Sequence, residues 1–334
     1  MPPPTIPHVA LGAQIDLPEL VAGELAALRD RLDREIPAKA LERNLLLATW
    51  NIRHFGDLSE TFDAGPEDRP KRDLRALTYL TEIVARFDVV AVQEVRSNLK
   101  ALRWMLKALG PDWTFLLTDV TAGDAGNDER LAFVFDLRRV RPSGLAAEIV
   151  LPPERGGVAR EQFARTPYAV SFVASGRHRR HTFVLTTVHI RYGSSQLDRL
   201  DELADFAAWM ASWAEDMNRF HHDLIVLGDF NIDRAGDPAY QAFVSGGLTV
   251  PAQLASKPRT IFDRGDGEHF YDQIAWFSQG AARLQMPPTE RGGTFDFVGT
   301  VYPELAKRDV SWRISDHLPL WLEFDLTAPV PDDT

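Results

Sequence analysis

The chain has 334 residues, 37 basic and 48 acidic, for a formal net charge of −11, and 45% of its residues are hydrophobic. That size and balance suit a soluble globular protein with a sizeable core. They argue against a surface that binds polyanions wholesale and leave room only for a local basic groove. The absence of cysteine removes disulfides, thiolate metal sites and a cysteine nucleophile together.

The first five residues, Met1 to Thr5, lack the basic and apolar regions of a secretory signal. No apolar run reaches the ~18 residues of a spanning helix. A cytoplasmic monomer is therefore expected, although a secreted chain stripped of its signal would read the same.

Residues 1–43 read as a proline-rich start and an amphipathic helix over 17–34, with Leu20, Leu25, Leu28 and Leu32 at helical spacing. "LLLATWNI" then reads as a buried strand. Residues 72–87 place Leu74, Leu77, Leu80, Ile83, Val84 and Phe87 on one helical stripe. "DVVAVQEV" is a second buried strand, and a helix over 98–109 stops at Gly110-Pro111. "TFLLTDV", "RLAFVFD", "YAVSFVA" and "TFVLTTVHI" follow as strands, then a long helix over 196–219. "DLIVLGDF", "YDQIAWF" and "LPLWLEF" complete the strands, and the Pro/Asp-rich residues 327–334 are expected to fray. Strands with a few helices between them predict an α/β protein built on mixed sheets.

The apolar strands repeatedly end in, or carry, an acid, amide or imidazole. Asn51 follows "LLLATW", Glu94 follows "VVAVQ", His189 follows "VLTTV", and Asp229 and Asn231 follow "IVLG". Asp272 opens "QIAWF", and Asp316-His317 precede "LPLWLEF". Each has a bland reading. Asp229 to Asn231 suits a turn or helix N-cap, which is favoured when the stretch is taken alone, and His189 alone reads as a hydrogen-bonded strand-end histidine. So many buried polar groups without partners or a cation would be costly, however. Ligands of open α/β sheets bind where strand ends converge.

In order, "TWNIR", "VQEV", "VHI", "GDFN", "YDQI" and "SDHLP" resemble the endonuclease/exonuclease/phosphatase superfamily over residues 45–324. "NDERLAFVFD" and "FARTPYAVSF" are similar to its deoxyribonuclease I branch. The resemblance implies two packed mixed β-sheets flanked by helices, a four-layer α/β/β/α sandwich, with residues 44–326 as the catalytic domain. It implies phosphate-ester hydrolysis with Mg²⁺, or Mn²⁺ or Ca²⁺ instead, on Glu94, Asn51 and Asp316. Asp229 would orient or deprotonate the attacking water, with Asn231 positioning. His189 and His317 would contact phosphoryl oxygens, each paired with an acid, Glu129 and Asp272 respectively. Arg165 and Arg191 are candidate phosphate contacts.

The basic stretch from Arg177 to His181 reads as a solvated hairpin tip, and Trp312-Arg313 as candidates for a substrate rim. DNA is the expected substrate, through an endonuclease. The alternatives are hydrolysis of a phosphorylated lipid or small molecule, and a catalytically silent binding module.

Overall fold

A computed structural model of the protein describes residues 17–121, 126–153, 161–193, 197–217, 223–263, 269–280 and 283–328. The proline-rich start, both ends of the predicted 196–219 helix and nearly all of the 327–334 tail lie outside the described residues.

Strands β1 (Asn44–Phe55) and β2 (Val89–Arg96) run parallel, Leu47 beside Val89 and Asn51 beside Gln93. A parallel pair needs a crossover, and here it is α2 (Leu74–Val84). Asp73 caps that helix by accepting from the Ala76 amide at 2.8 Å. On one side of the pair β1 meets β12 (Leu320–Asp325) and then β11 (Pro288–Thr294). On the other, β2 meets β4 (Glu129–Asp136) and β3 (Trp113–Leu117), giving the order β11-β12-β1-β2-β4-β3.

The second sheet repeats the device. β7 (Arg180–His189) and β8 (Asp223–Asp229) are parallel and separated in sequence by helix α4 (Leu197–Met217). β5 (Val140–Glu148) and β6 (Tyr168–Ser175) lie beyond β7; β10 (Asp272–Phe277) and β9 (Leu248–Thr249) lie beyond β8.

Alternation along the strands decides the layers. Leu45 and Leu47 of β1 meet Phe172, Leu185, Ile225 and Leu227 of the other sheet in a shared core. Leu46, Ala48 and Trp50 face the opposite way into a core with α2 and α3 (Lys100–Leu109). The outer face of the second sheet packs Val184, Val188, Leu224 and Val226 against Leu203, Phe206 and Met210 of α4. Each fully buried Leu, Val or Phe contributes about 1.5–3 kcal/mol, so a one-residue slip that exchanged faces would be prohibitive. The expected four-layer sandwich is what these faces build. Among the described residues no helix is long and apolar enough to cross a membrane.

Helix α1 (Glu19–Glu35) braces this sandwich: Val21, Leu25, Leu28 and Leu32 are buried with Trp50 and Leu77. Leu20, expected on the apolar face, is instead 61% exposed. It stands one position, about 100°, off the stripe through Val21 and Leu25. Glu24 is buried there and bonds Arg75.

The β8 strand begins and ends in a buried carboxylate. At its start Asp223 accepts from the backbone amides of Gln285 and Met286. Burial pushes its pKa up to about 6, against those two hydrogen bonds and Arg179. A folded-state value above the unfolded one means stability that is fullest at low pH and declines as pH rises from about 4 to 6. That decline, up to ~3 kcal/mol, should be present in wild type and absent from Asp223→Asn when urea midpoints are measured across pH 4–7. Parallel curves for the two proteins would show that Asp223 does not titrate there.

Candidate active site

Register places the polar strand ends side by side. In the second sheet His189 lies opposite Asp229, and Asp229 opposite Asp272. Three strands therefore deliver an imidazole and two carboxylates to one edge. The close approach of β8 to β7 requires Gly228, at φ +153°, where a Cβ would sit 2.2 Å from the Val188 carbonyl oxygen. The first sheet brings Asn51 and Glu94 to the same edge, and the Asn51 carboxamide crosses to the second sheet by donating to Asp229 Oδ2 at 3.0 Å.

Asp229 is the centre of the group, with 1% of its surface exposed. Its Oδ1 accepts from the Asn231 amide at 2.9 Å. Its Oδ2 lies 3.5 Å from His189 Nε2 and 3.8 Å from His317 Nε2. Asn231, at φ +50°, donates its own side chain to the Ile190 carbonyl at 2.7 Å. Between them Phe230 turns away and packs on Phe206 and Phe243, with ring centroids 5.8 and 4.4 Å off. The stretch thus both turns locally and brings its polar groups to the shared strand edge.

Each imidazole has an acid behind it, as expected. His317 Nδ1 lies 2.7 Å from Asp272 Oδ2. Burial would lower the His317 pKa, but the Asp272 and Asp229 carboxylates outweigh it and favour the imidazolium. Burial in turn lifts Asp272 to about 6 against the pull of His317. His189 Nδ1 lies 3.0 Å from Glu129 Oε2, which also accepts from Arg165 Nε at 2.7 Å. Burial of Glu129 is outweighed by His189 and Arg165, so its pKa is lowered.

Glu94 has a left-handed backbone, φ +60°, and its Oε2 accepts from the His54 amide at 2.9 Å. Burial works to raise its pKa, yet His189 and the His54 amide hold it at about 2. It is ionised throughout the neutral range. Asn51 Oδ1 is buried and has no hydrogen-bond partner. No cluster of three or more acids and histidines suited to a metal occurs among the described residues. A hard ion such as Mg²⁺ needs only one or two carboxylates and keeps several waters. An ionised carboxylate beside an orphaned carboxamide oxygen fits that demand.

The remaining expected residues are otherwise engaged. Asp316 pairs with Arg53 at 3.2 Å. Arg165 is held by Glu129, with Nη1 buried and unpartnered. Arg191 is shared between Glu161 at 2.6 Å and Glu202 at 3.2 Å.

One residue that the sequence did not advertise ties the two halves of the edge together. Arg72, 3% exposed, donates to the carbonyls of Arg53, His54, Arg313 and Ile314 at 2.6, 2.9, 2.9 and 3.1 Å. It thereby clamps the end of β1 to the segment that leads into Ser315-Asp316-His317. Burial brings its pKa down to about 10 against the attraction of Glu94, so it is a cation at neutral pH. Ser315 adds two stitches, donating to the Asn51 carbonyl at 2.6 Å and accepting from the His317 amide at 3.0 Å.

Residues 48–317 match the model of the Endonuclease/Exonuclease/phosphatase family. A deoxyribonuclease of Thioalkalivibrio sp. (strain K90mix) is 27% identical over 302 residues, 87% of this chain and 73% of that protein. Deoxyribonuclease-1 of Bos taurus is 25% identical over 197 residues, 57% of this chain and 61% of that one. In fold, the chain is similar to an endonuclease/exonuclease/phosphatase family protein from Bacteroides thetaiotaomicron, with a TM-score of 0.57 at 18% identity. That likeness covers 86% of this chain and 99% of the other. Matched by the family model over most of its length, the chain belongs to the endonuclease/exonuclease/phosphatase family.

Proposed function

We propose that the protein is a divalent-metal-dependent phosphodiesterase that cuts DNA internally. The observation that carries this reading is the setting of Asp229 Oδ2, with the Asn51 amide and two acid-backed imidazoles all within 3.8 Å. The similarity to two deoxyribonucleases supports DNA as the substrate.

Glu94 and the free Asn51 oxygen would hold the ion, which when bound draws charge from the phosphoryl oxygens. Asp229 takes the proton of the attacking water. The Asn231 amide on Oδ1 and the Asn51 amide on Oδ2 keep its carboxylate from rotating. Positioned bases of this kind contribute about 10²–10⁴ in rate. His317 and His189 present Nε2 to the phosphoryl oxygens, because Asp272 and Glu129 occupy the neighbourhood of each Nδ1. Donors aimed at developing negative charge are worth about 10²–10³ apiece.

Nicking of supercoiled plasmid with Mg²⁺ tests this. Nicking should cease with a chelator and fall roughly 10³-fold in Glu94→Gln, the several kcal/mol of an ion's charge stabilisation. Undiminished nicking in Glu94→Gln would sink the metal site. Hydrolysis of phosphomonoesters in preference to plasmid would replace the nuclease reading with a small-molecule phosphatase.

A further inference from the structure

Beside Glu94 the surface opens into a second cleft of about 540 Å³ that no step above uses. His54, Arg69, Lys71, Arg308 and Trp312 line it. His54 fixes its location, since the residue whose amide binds Glu94 at 2.9 Å also lends its imidazole to the cleft wall. The cleft therefore lies next to the catalytic edge.

Trp312 is the second notable feature. It lies on helix α6 (Lys307–Arg313), belongs to none of the three apolar cores, and leaves 40% of its surface open. Packing does not account for a tryptophan there. Its ring is nonetheless held in place, with the Arg53 guanidinium carbon 3.6 Å from the ring centroid and the His54 ring stacked at 5.6 Å. A rigid, half-open aromatic plate binds at little entropic expense.

Charge is the third. Arg69, Lys71 and Arg308 stand on the cleft wall against one carboxylate, Asp309, 3.9 Å from Lys71 Nζ. The whole chain carries −11, so this patch is opposite in sign to the net charge of the protein. An aromatic plate ringed by cations matches what a single nucleic-acid strand offers, a π-face on each base and a charge on each phosphate.

We infer that this cleft is the subsite for the nucleotide adjoining the scissile phosphate, with an unpaired base against Trp312 and its flanking phosphate between Lys71 and Arg308. The inference rests on the phosphodiesterase reading and adds to it a preference for strands whose bases are free to leave the stack.

The test uses the full chain with a single-stranded oligonucleotide and with bis(4-nitrophenyl) phosphate, a diester too small to span both places. Trp312→Ala should raise KM for the oligonucleotide about tenfold, in the range of one base–aromatic stack, and leave the small diester unchanged. Trp312→Phe should recover most of the loss. In a Glu94→Gln background, anisotropy of a labelled oligonucleotide should show the same loss of affinity. The combined Lys71→Ala and Arg308→Ala variant should flatten the salt dependence of that binding by about 0.7 per contact removed.

Unchanged KM and anisotropy in Trp312→Ala overturn the subsite. So does an equal fall on the small diester, which would mean that Trp312 acts by bracing Arg53 and His54. Equal loss of binding to a fully paired duplex overturns the unpaired-base assignment. Failure of the wild-type protein to hydrolyse either the oligonucleotide or the small diester is a separate result, and it defeats the underlying phosphodiesterase reading instead.

Discussion

Replacing Asp229 by asparagine should lower plasmid nicking by roughly 10³-fold while the protein still melts cooperatively. The carboxamide keeps the shape of the carboxylate and can accept from the Asn231 amide, so the 2.9 Å bond at Oδ1 has a counterpart. What is lost is the ability to take a proton. The substitution also sets an amide against the Asn51 amide at the second oxygen, now 3.0 Å away. A change in kcat with little change in KM would place the effect in the chemical step. Activity within tenfold of wild type would mean that the base lies elsewhere.

Arg72→Met should destabilise the protein by about 3–5 kcal/mol, the scale of removing one partner from a buried charged network. Four carbonyls lose their donors at once, and each buried group left unsatisfied costs about 1–3 kcal/mol. Methionine fills part of the space but can donate to none of them. Arg72→Lys should recover little, because an ammonium on a flexible stem cannot span four carbonyls as the planar guanidinium fork does. Urea unfolding reads the loss directly, and a change below ~1 kcal/mol would show that water replaces the guanidinium. Because the clamp joins Arg53 and His54 to Arg313 and Ile314, whatever folded protein is left should also bind metal more weakly.

Legibility in the sequence followed how local each cause is. The buried strands could be read because their apolar runs are long, and the site because its acids, amides and imidazoles terminate those runs. The pairings His317 with Asp272 and His189 with Glu129 required the family resemblance, since each joins residues far apart in sequence. Strands β5 and β11 and the short helices α5 (Pro238–Val244) and α6 went unseen. β5 is mostly exposed along "VRPSGLAAE", and an exposed edge leaves no alternation to read. Arg72 sits at the end of a stretch without periodicity, and nothing local shows that four carbonyls will surround it. The same holds for Arg191, whose partner Glu202 is contributed by α4. Trp312 was a candidate rim residue from its place before the Ser315-Asp316-His317 stretch, but its contacts with Arg53 and His54 were not legible.

The strand order also bears on when the protein becomes active as it is made. The last strand, β12, inserts between β11 and β1, pairing Thr49 with Leu320. His317 immediately precedes it, and the first strand bears Asn51. A chain still emerging from the ribosome can hold Asp229, His189 and Glu94, yet it lacks His317 and the strand that closes the first sheet. On the proposed mechanism, a copy that ends before His317 would lack an imidazole of the site as well as the partner that β1 needs on its open side.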